Sequence, residues 1–364
     1  MQNPELLCFG NAIIDVFCTA DAARLDELGI AEPVQHISRD KAQQLLDEFG
    51  GNNAVLSSGG AAANVAKISA MLGIDAAFSG CTGDEATDKQ AGFFRQELLD
   101  AGIVPLLGRS KERTGLCFVF TITHAGKKEL SVRHEPEIRI AASPGAALDF
   151  NETFVREDLV IGAEALVLDG YMLERRALIQ HILQLASHKG IPIAIDAASV
   201  FQIREKTADI LQYSRNYPLI VFMNADESIV FYQTIKKTGA TLASLGIETE
   251  REKETFILKE ICPVLKYITE GDIFPVIVIK LGGRGAVVLA GGNIYREETF
   301  AIIPRNTVGA GDAFCAAFLS AWIRGKSIRE CAALGNKVAR VILEVPGTSI
   351  KREKLKPFAK LLKK

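Results

Sequence analysis

The chain has 364 residues, of which 48% are hydrophobic, and its formal net charge at pH 7 is −2. This length predicts one large or two modest domains with a sizeable core. The near-neutral charge gives no electrostatic reason to expect nucleic acid or an anionic membrane as a partner, and no apolar run is long enough to span a bilayer.

The first part of the chain predicts a mixture of strands and helices. Strands are expected at 6–9, 54–56 and 76–80, and helices within 21–50 and at 89–101. A glycine-rich turn at 57–64 is expected to open a further helix that runs through Met71, and a β-hairpin to join 116–123 to 130–132. A turn at Gly10-Asn11 follows the first strand and leads into an apolar stretch that contains Asp15.

Beyond about residue 150 the pattern alternates regularly. Strands are expected at 165–168, 191–195, 219–223, 276–280 and 286–289, and helices at 173–189, 225–235, 252–268, 312–324 and 327–344. Apolar strands that alternate with helices predict an α/β fold with a doubly wound, mostly parallel sheet and helices on both faces. Ligands then bind at the carboxyl ends of the strands. We expect a surface loop at 236–256 and a solvated basic helix at 351–364.

The seven cysteines are dispersed, and no pair has the two-residue spacing of a zinc or redox motif. We interpret them as buried thiols of a reducing compartment. No basic segment precedes the first apolar run, so we expect no signal peptide and a cytoplasmic location.

The run Gly309-Ala310-Gly311-Asp312 is the most informative motif of the chain. An apolar, small-residue helix follows it, so the glycines lie at a helix N-terminus, where bare N–H groups and the helix dipole favour an anion. A carboxylate beside such a site would repel phosphate, but it is well placed to accept a proton from an attacking hydroxyl. The alternative is an ordinary glycine turn with Asp312 as a cap.

Two glycine-containing turns near the N-terminus combine polar side chains with bare backbone. Gly10-Asn11 is followed by Asp15, and Gly59-Gly60 is followed by Asn64. Asp15 lies in an apolar run, where a charge needs a partner. A carboxylate and an amide near glycine backbone suit sugar hydroxyls. Alternatively, Asp15 caps a turn and Asn64 is an exposed helix residue.

Two further turns follow predicted strands. Asn224 and Glu227 have the spacing of a capping box, and the same spacing would let them face Mg²⁺-bound phosphates through water. Gly282 lies in a glycine-rich turn after 276–280 that is either a hairpin turn or part of a nucleotide site. Neither the P-loop pattern nor the dinucleotide-binding fingerprint is present, which disfavours a nicotinamide oxidoreductase.

Taken together and in this order, the motifs resemble those of the PfkB (ribokinase-like) family of carbohydrate and nucleoside kinases, over nearly the whole chain. The Gly59-Gly60…Asn64 segment is similar to the N-terminal signature of that family, and 306–314 is similar to its C-terminal signature. Asn224 and Glu227 match its Asn-x-x-Glu element.

The resemblance implies an ATP-dependent phosphotransferase that acts on an alcohol. Asp312 matches the general base of the family, and Gly309, Ala310 and Gly311 match its anion hole. The acceptor-binding positions are Asp15, Asn11, Gly59, Gly60 and Asn64. The nucleotide and Mg²⁺ positions are Asn224 and Glu227, and further nucleotide-lining positions are Gly282, Thr307 and Asn336.

The resemblance also implies a large α/β domain, here 1–12, 58–112 and 140–364, with a small β lid built from 13–57 and 113–139. The family usually begins its C-terminal signature with an aspartate that in some members helps to bind a monovalent cation. This chain has Asn306, which weakens the case for K⁺ activation.

The resemblance implies a small-molecule sugar or nucleoside as the acceptor. The opening segment from Gly10 to Asp15 and the long helical insertion before Gly59 are more similar to adenosine-kinase-type members than to fructokinases. Phe17, Phe118 and Phe120 could line a base or pack in the core. A non-catalytic nucleotide or sugar sensor on the same fold is the alternative function, and either a monomer or a homodimer fits the family.

Overall fold

The structure, a computed structural model, describes residues 3–51, 54–123, 137–238, 246–269, 276–300, 302, 304, 307–344 and 350–363. Its strands are β1 (Leu6–Phe9), β2 (Ile13–Asp21), β3 (Val34–His36), β4 (Val55–Gly59), β5 (Ala76–Thr82), β6 (Val104–Arg109), β7 (Thr114–Thr123), β8 (Ile138–Gly145), β9 (Ala165–Asp169), β10 (Ile193–Asp196), β11 (Leu219–Asn224), β12 (Val276–Lys280), β13 (Ala286–Ala290) and β14 (Asn293–Glu297). Its α-helices are α1 (Ala22–Glu27), α2 (Arg39–Phe49), α3 (Ala61–Met71), α4 (Lys89–Asp100), α5 (Glu157–Gly162), α6 (Arg176–Ser187), α7 (Val200–Ser214), α8 (Ala225–Lys236), α9 (Glu250–Phe256), α10 (Cys262–Thr269), α11 (Ala310–Ile323), α12 (Ile328–Leu343) and α13 (Arg352–Leu361).

The larger sheet has the strand order β14-β13-β12-β11-β10-β9-β1-β5-β6. The strands from β12 to β6 run parallel, and β13 and β14 continue the sheet antiparallel. Helices cover both faces, and successive residues of β1 show why: Leu6 and Cys8 join one apolar cluster, whereas Leu7 and Phe9 join the other. A strand that is buried on both faces reads as a continuous apolar run, which is the pattern of these strands. The predicted doubly wound fold is confirmed.

A second sheet has the order β3-β8-β7-β2-β4. The carboxyl end of β4 leads directly into α3, so this sheet adjoins the large sheet at the glycine pair Gly59-Gly60. Strands β4 and β8 extend past the predicted lid boundaries at 57 and 139. The division into two domains stays a prediction.

Several elements differ from the sequence expectations. The described antiparallel partner of β7 is β8, whereas residues 130–132 lie outside the described residues. Strand β6 was not predicted because Pro105 interrupts it, but β6 is an edge strand, where proline is tolerated. Helix α7 was also missed. The C-terminal helix is not purely solvated, since Leu355 is fully buried in the core.

All seven cysteines are unpaired thiols. Within the described residues, none of the helices combines the length and apolarity that crossing a membrane requires.

Candidate active site

Four neighbouring parallel strands each end in a polar residue. β9 ends in Asp169, β10 in Asp196, β11 in Asn224 and β12 in Lys280. The register pairs Asp169 with Asp196 and Asn224 with Lys280, so these residues line one edge of the sheet. Of these four residues, only Asn224 was predicted from the sequence as a site residue. A polar residue at the end of each apolar strand was the signal that could have found the other three.

The glycine-rich turn opens α11 above this edge. Gly309 is the N-cap residue, and its φ of 81° lies in the left-handed region that favours glycine. The helix begins at Ala310, which makes Gly311 its second residue and Asp312 its third. The first N–H groups of a helix have no intrahelical acceptor and lie at the positive end of the dipole. This turn is therefore suited to an anion.

A hydrogen bond joins the two glycine-rich motifs, which are 248 positions apart in sequence. Asn64 Nδ2 on α3 donates to Asp312 Oδ2 on α11 at 2.8 Å. Burial raises the pKa of Asp312 to about 6, the bond from Asn64 lowers it, and the nearby Asp196 charge raises it. Asn64 is only 6% exposed, and its Oδ1 has no hydrogen-bond partner among the described residues. The pair thus offers a carboxylate and a buried acceptor to a ligand.

The backbone of both glycine turns touches the predicted acceptor-binding side chains. A Cβ atom on Gly59 would lie 2.3 Å from the carboxylate of Asp15, so only glycine leaves that carboxylate in place. Gly60 has a φ of 90°, and a Cβ there would lie 2.2 Å from the carbonyl oxygen of Asn11. Asn11 Oδ1 accepts a hydrogen bond from the Arg175 guanidinium at 2.7 Å. The backbone of the Gly59-Gly60 turn therefore packs directly against Asn11 and Asp15.

Lys67 and Glu97 both form hydrogen bonds with Ser58, in the segment before Gly59, and neither was predicted from the sequence. The Lys67 ammonium donates to the Ser58 carbonyl oxygen and to Ser58 Oγ, and Glu97 accepts from the Ser58 N–H. Burial lowers the pKa of Lys67, against the raising effect of Glu97 and Asp15. Burial raises the pKa of Asp15 to about 7, against the lowering effect of Lys67. Charges on β2, α3 and α4 are therefore coupled at this point.

Asn224 and Glu227 form the capping box at the start of α8. Asn224 Oδ1 accepts from the Glu227 N–H at 2.8 Å, and Glu227 Oε2 accepts from the Asn224 N–H at 2.7 Å. Burial raises the pKa of Glu227 to about 7, with a further contribution from the Asp196 charge. The capping role of Glu227 is compatible with a role in metal binding, because the capping hydrogen bond uses only one of its two carboxylate oxygens.

No cluster of three or more His, Cys, Asp or Glu side chains that could hold a metal occurs in the part of the chain that the structure describes. Mg²⁺ does not need such a cluster, because it usually keeps several waters and is bound through one or two carboxylates and substrate phosphates. Glu227 at the sheet edge fits that donor set.

The remaining predicted nucleotide positions are Gly282, Asn336 and Thr307. Gly282 has a φ of 55° in the turn between β12 and β13, and a Cβ there would meet open space. Asn336 Nδ2 donates to the carbonyl oxygens of Glu297 and Glu298 at 3.3 and 3.5 Å, which ties α12 to the end of β14. Thr307 is exposed two residues before Gly309. Asn306 lies outside the described residues, so the K⁺ expectation stays a prediction.

Comparison with known proteins places this chain among phosphotransferases. A family profile described as pfkB family carbohydrate kinase matches residues 47–355. An adenosine kinase from Dictyostelium discoideum is 24% identical over 96% of this chain and 97% of that protein. A 5-dehydro-2-deoxygluconokinase from Bacillus subtilis (strain 168) is 22% identical over 80% of this chain and 82% of that protein. The crystal structure of adenosine kinase from Sinorhizobium meliloti matches with a TM-score of 0.78 at 23% identity, covering 98% of this chain and 99% of that one. The structural match shows a common fold.

Proposed function

Because this chain belongs to the pfkB family of carbohydrate kinases, phosphotransferases with an alcohol acceptor, we propose that it transfers the γ-phosphoryl group of ATP to a nucleoside hydroxyl, with Asp312 as the general base. The Asn64–Asp312 contact supports the role of Asp312. An apolar row across the second sheet supports a nucleoside as the acceptor.

Asp312 has the protonation state and the position that a general base needs. A pKa of about 6 leaves the carboxylate mostly ionised at neutral pH yet basic enough to take a proton. Among the described residues, Asn64 is its side-chain hydrogen-bond donor, and it binds Oδ2. Asp312 Oδ1 then accepts the proton of the attacking hydroxyl, while Asn64 Oδ1 accepts from a hydroxyl of the bound acceptor.

The first turn of α11 stabilises the transferred group. Its N–H groups are fixed before the reaction and therefore need no reorganisation when charge develops on the phosphoryl oxygens. When bound, Mg²⁺ neutralises phosphate charge, and Asn224 and Glu227 would hold it through water. Asp15 and Asn11 orient the acceptor hydroxyls. The second sheet acts as a lid that excludes water from the transfer.

The second sheet carries a continuous apolar row on the face of Asp15. Phe17 lies two residues beyond Asp15 on β2 and therefore on the same face. In register with Phe17 are Val55, Val119, Ile140 and Val34, one residue from each of the other strands. Val34 is 63% exposed and Val55 is 51% exposed. An apolar face beside a hydroxyl-binding carboxylate suits an acceptor that is polar at one end and has an apolar ring at the other, as a nucleoside has.

The acceptor is tested by coupled ADP release with adenosine, ribose and fructose. We expect turnover with adenosine at concentrations that give none with either sugar. Replacing Phe17 with alanine should raise KM for adenosine with little change in kcat, because stacking on the base is the same in the ground and transition states.

Tyr267→Ala, at an aromatic side chain on α10 that is 79% exposed, is the matched control and should leave KM unchanged. Turnover with ribose or fructose but not with adenosine would show that the acceptor is a sugar and not a nucleoside. Nucleotide binding without turnover on any acceptor would favour a sensor.

A further inference from the structure

A buried ion pair lies at the carboxyl ends of β10 and β12, next to the first turn of α11. Lys280 Nζ is 2.8 Å from Asp196 Oδ2, and the two side chains are 14% and 13% exposed. The same ammonium would lie 3.2 Å from a Cβ atom built on Gly311. It is therefore in contact range of the backbone that forms the proposed anion site.

The surroundings of Asp196 hold it toward this ammonium. Cys315 Sγ, on the same face of α11 as Asp312, donates to Asp196 Oδ2 at 2.9 Å. The Ala198 N–H donates to Asp196 Oδ1 at 3.4 Å, and Ala198 has a φ of 65°. A residue with a Cβ rarely adopts that conformation, which persists where the surrounding structure imposes it and is frequent at functional sites.

Stability alone does not account for this pair. Removing two charges from water costs free energy that their attraction often only balances, so apolar residues of similar volume would be equally stable or more so. Both groups are ionised, because Lys280 lowers the pKa of Asp196 and Asp196 raises the pKa of Lys280, each against the effect of burial. A permanent positive charge is thus kept beside the glycine turn.

The ammonium retains donor capacity for a ligand. It has three N–H groups, and among the described residues its hydrogen-bond partners are Asp196 Oδ2 and the more distant Cys315 Sγ at 3.8 Å. A second observation beside this turn points to a bound acceptor: Asn64 on α3, which binds Asp312, has a buried Oδ1 without a partner among the described residues.

We propose that Lys280 donates a hydrogen bond to the phosphoryl group that is transferred, and that Asp196 and Cys315 are positioning residues that hold its ammonium at the glycine turn. This inference rests on the proposed function only in placing the terminal phosphate of the nucleotide at the α11 turn. It does not depend on which acceptor is used. A lysine in this position distinguishes a nucleoside triphosphate from a diphosphate.

The test measures nucleotide affinity without an acceptor. Isothermal titration calorimetry compares MgADP with the magnesium complex of a non-hydrolysable ATP analogue, AMP-PNP, on the wild type and on Lys280→Met. We expect the dissociation constant for AMP-PNP to rise about tenfold or more, the usual effect of losing a charge-assisted hydrogen bond. The constant for MgADP should stay nearly unchanged. Lys189→Met, at an exposed lysine after α6, controls for the loss of one positive charge.

Two further variants separate the proposed role of Lys280 from a general loss of structure. If Lys280→Met fails to fold because Asp196 is left as an unpaired buried charge, the double variant Lys280→Met/Asp196→Leu removes both charges and should show the same selective loss. Asp196→Asn should weaken AMP-PNP more than MgADP, whereas a merely structural role would weaken both equally.

Equal weakening of both nucleotides in the lysine variants, or no change in either, would overturn the role of Lys280. If none of the acceptors tested is phosphorylated, the calorimetric comparison of AMP-PNP with MgADP can still be made. The acceptor proposal and the Lys280 proposal are therefore tested by independent results.

Discussion

Replacing Asp312 with asparagine removes the proposed proton acceptor while keeping the size of the side chain. With a pKa of about 6, roughly 97% of the wild-type carboxyl is ionised at pH 7.5. A positioned general base contributes about 100- to 10,000-fold to the rate. We therefore expect kcat to fall by that factor, with KM values little changed because the anion site and the acceptor-binding side chains remain.

The same substitution should make the protein more stable. Burial raises the pKa of Asp312 from 3.8 to about 6, so its ionised form costs the native state about 3 kcal/mol above that pH. That figure already includes the bond from Asn64, which lowers this pKa, so we expect a gain of about 3 kcal/mol. The gain is present above about pH 6. The gain shrinks as the pH falls below 6 and disappears well below pH 3.8, where the wild-type carboxyl is protonated in both the folded and unfolded states.

Steady-state ADP release and urea unfolding at pH 7.5 and pH 5 measure the two effects together. Glu330→Gln is the matched control, because Glu330 is also the third residue of a helix, α12, but is exposed, and its carboxylate accepts from the N–H of the N-cap residue Ser327. It should leave kcat unchanged and slightly reduce stability. Near-normal turnover of folded Asp312→Asn would refute the general-base assignment, and a loss of stability at pH 7.5 would refute the electrostatic reasoning.

Three further predictions follow from contacts in the site. Asn64→Asp places a second carboxylate beside Asp312, so the acid limb of the kcat/KM profile should move upward from about pH 6 by roughly one unit. Gly59→Ala puts a Cβ 2.3 Å from the Asp15 carboxylate, so KM for the acceptor should rise about tenfold or more, while calorimetric nucleotide affinity is retained. Glu227→Gln preserves the capping box, which accepts glutamine, but removes a carboxylate, so the Mg²⁺ concentration for half-maximal activity should increase without a lower Tm.

Each of these changes has a matched control. Asn216→Asp adds a charge at an exposed position and should leave the pH profile unchanged. Gly92→Ala places a methyl group where no atom lies within 4 Å and should be tolerated. Glu252→Gln alters the capping box of α9 and should not affect the Mg²⁺ requirement. An unmoved acid limb, an unchanged acceptor KM or an unchanged Mg²⁺ requirement in the corresponding site variant would contradict the assignment concerned.

Local patterns in the sequence predicted most of the large sheet. The β1 prediction matches the structure, and the helix after Asn224 begins where the capping box predicts, because apolar runs and caps depend on residues close together in sequence. Strand β6 was not predicted because Pro105 interrupts its sequence pattern. A proline is tolerated there because β6 lies at the edge of the sheet. That position becomes known only when the whole sheet is assembled.

The sequence by itself determined the α/β class, the glycine turn before α11 and the kinase family, because these depend on short-range patterns and on motif order. Only the tertiary structure brought Asn64 to Asp312, Lys67 to Ser58 and Lys280 to Asp196. It also decided that burial raises the pKa of Asp312 to about 6. A pKa depends on which distant elements remove a group from water and which charges they bring near it, and residue spacing along the chain contains neither.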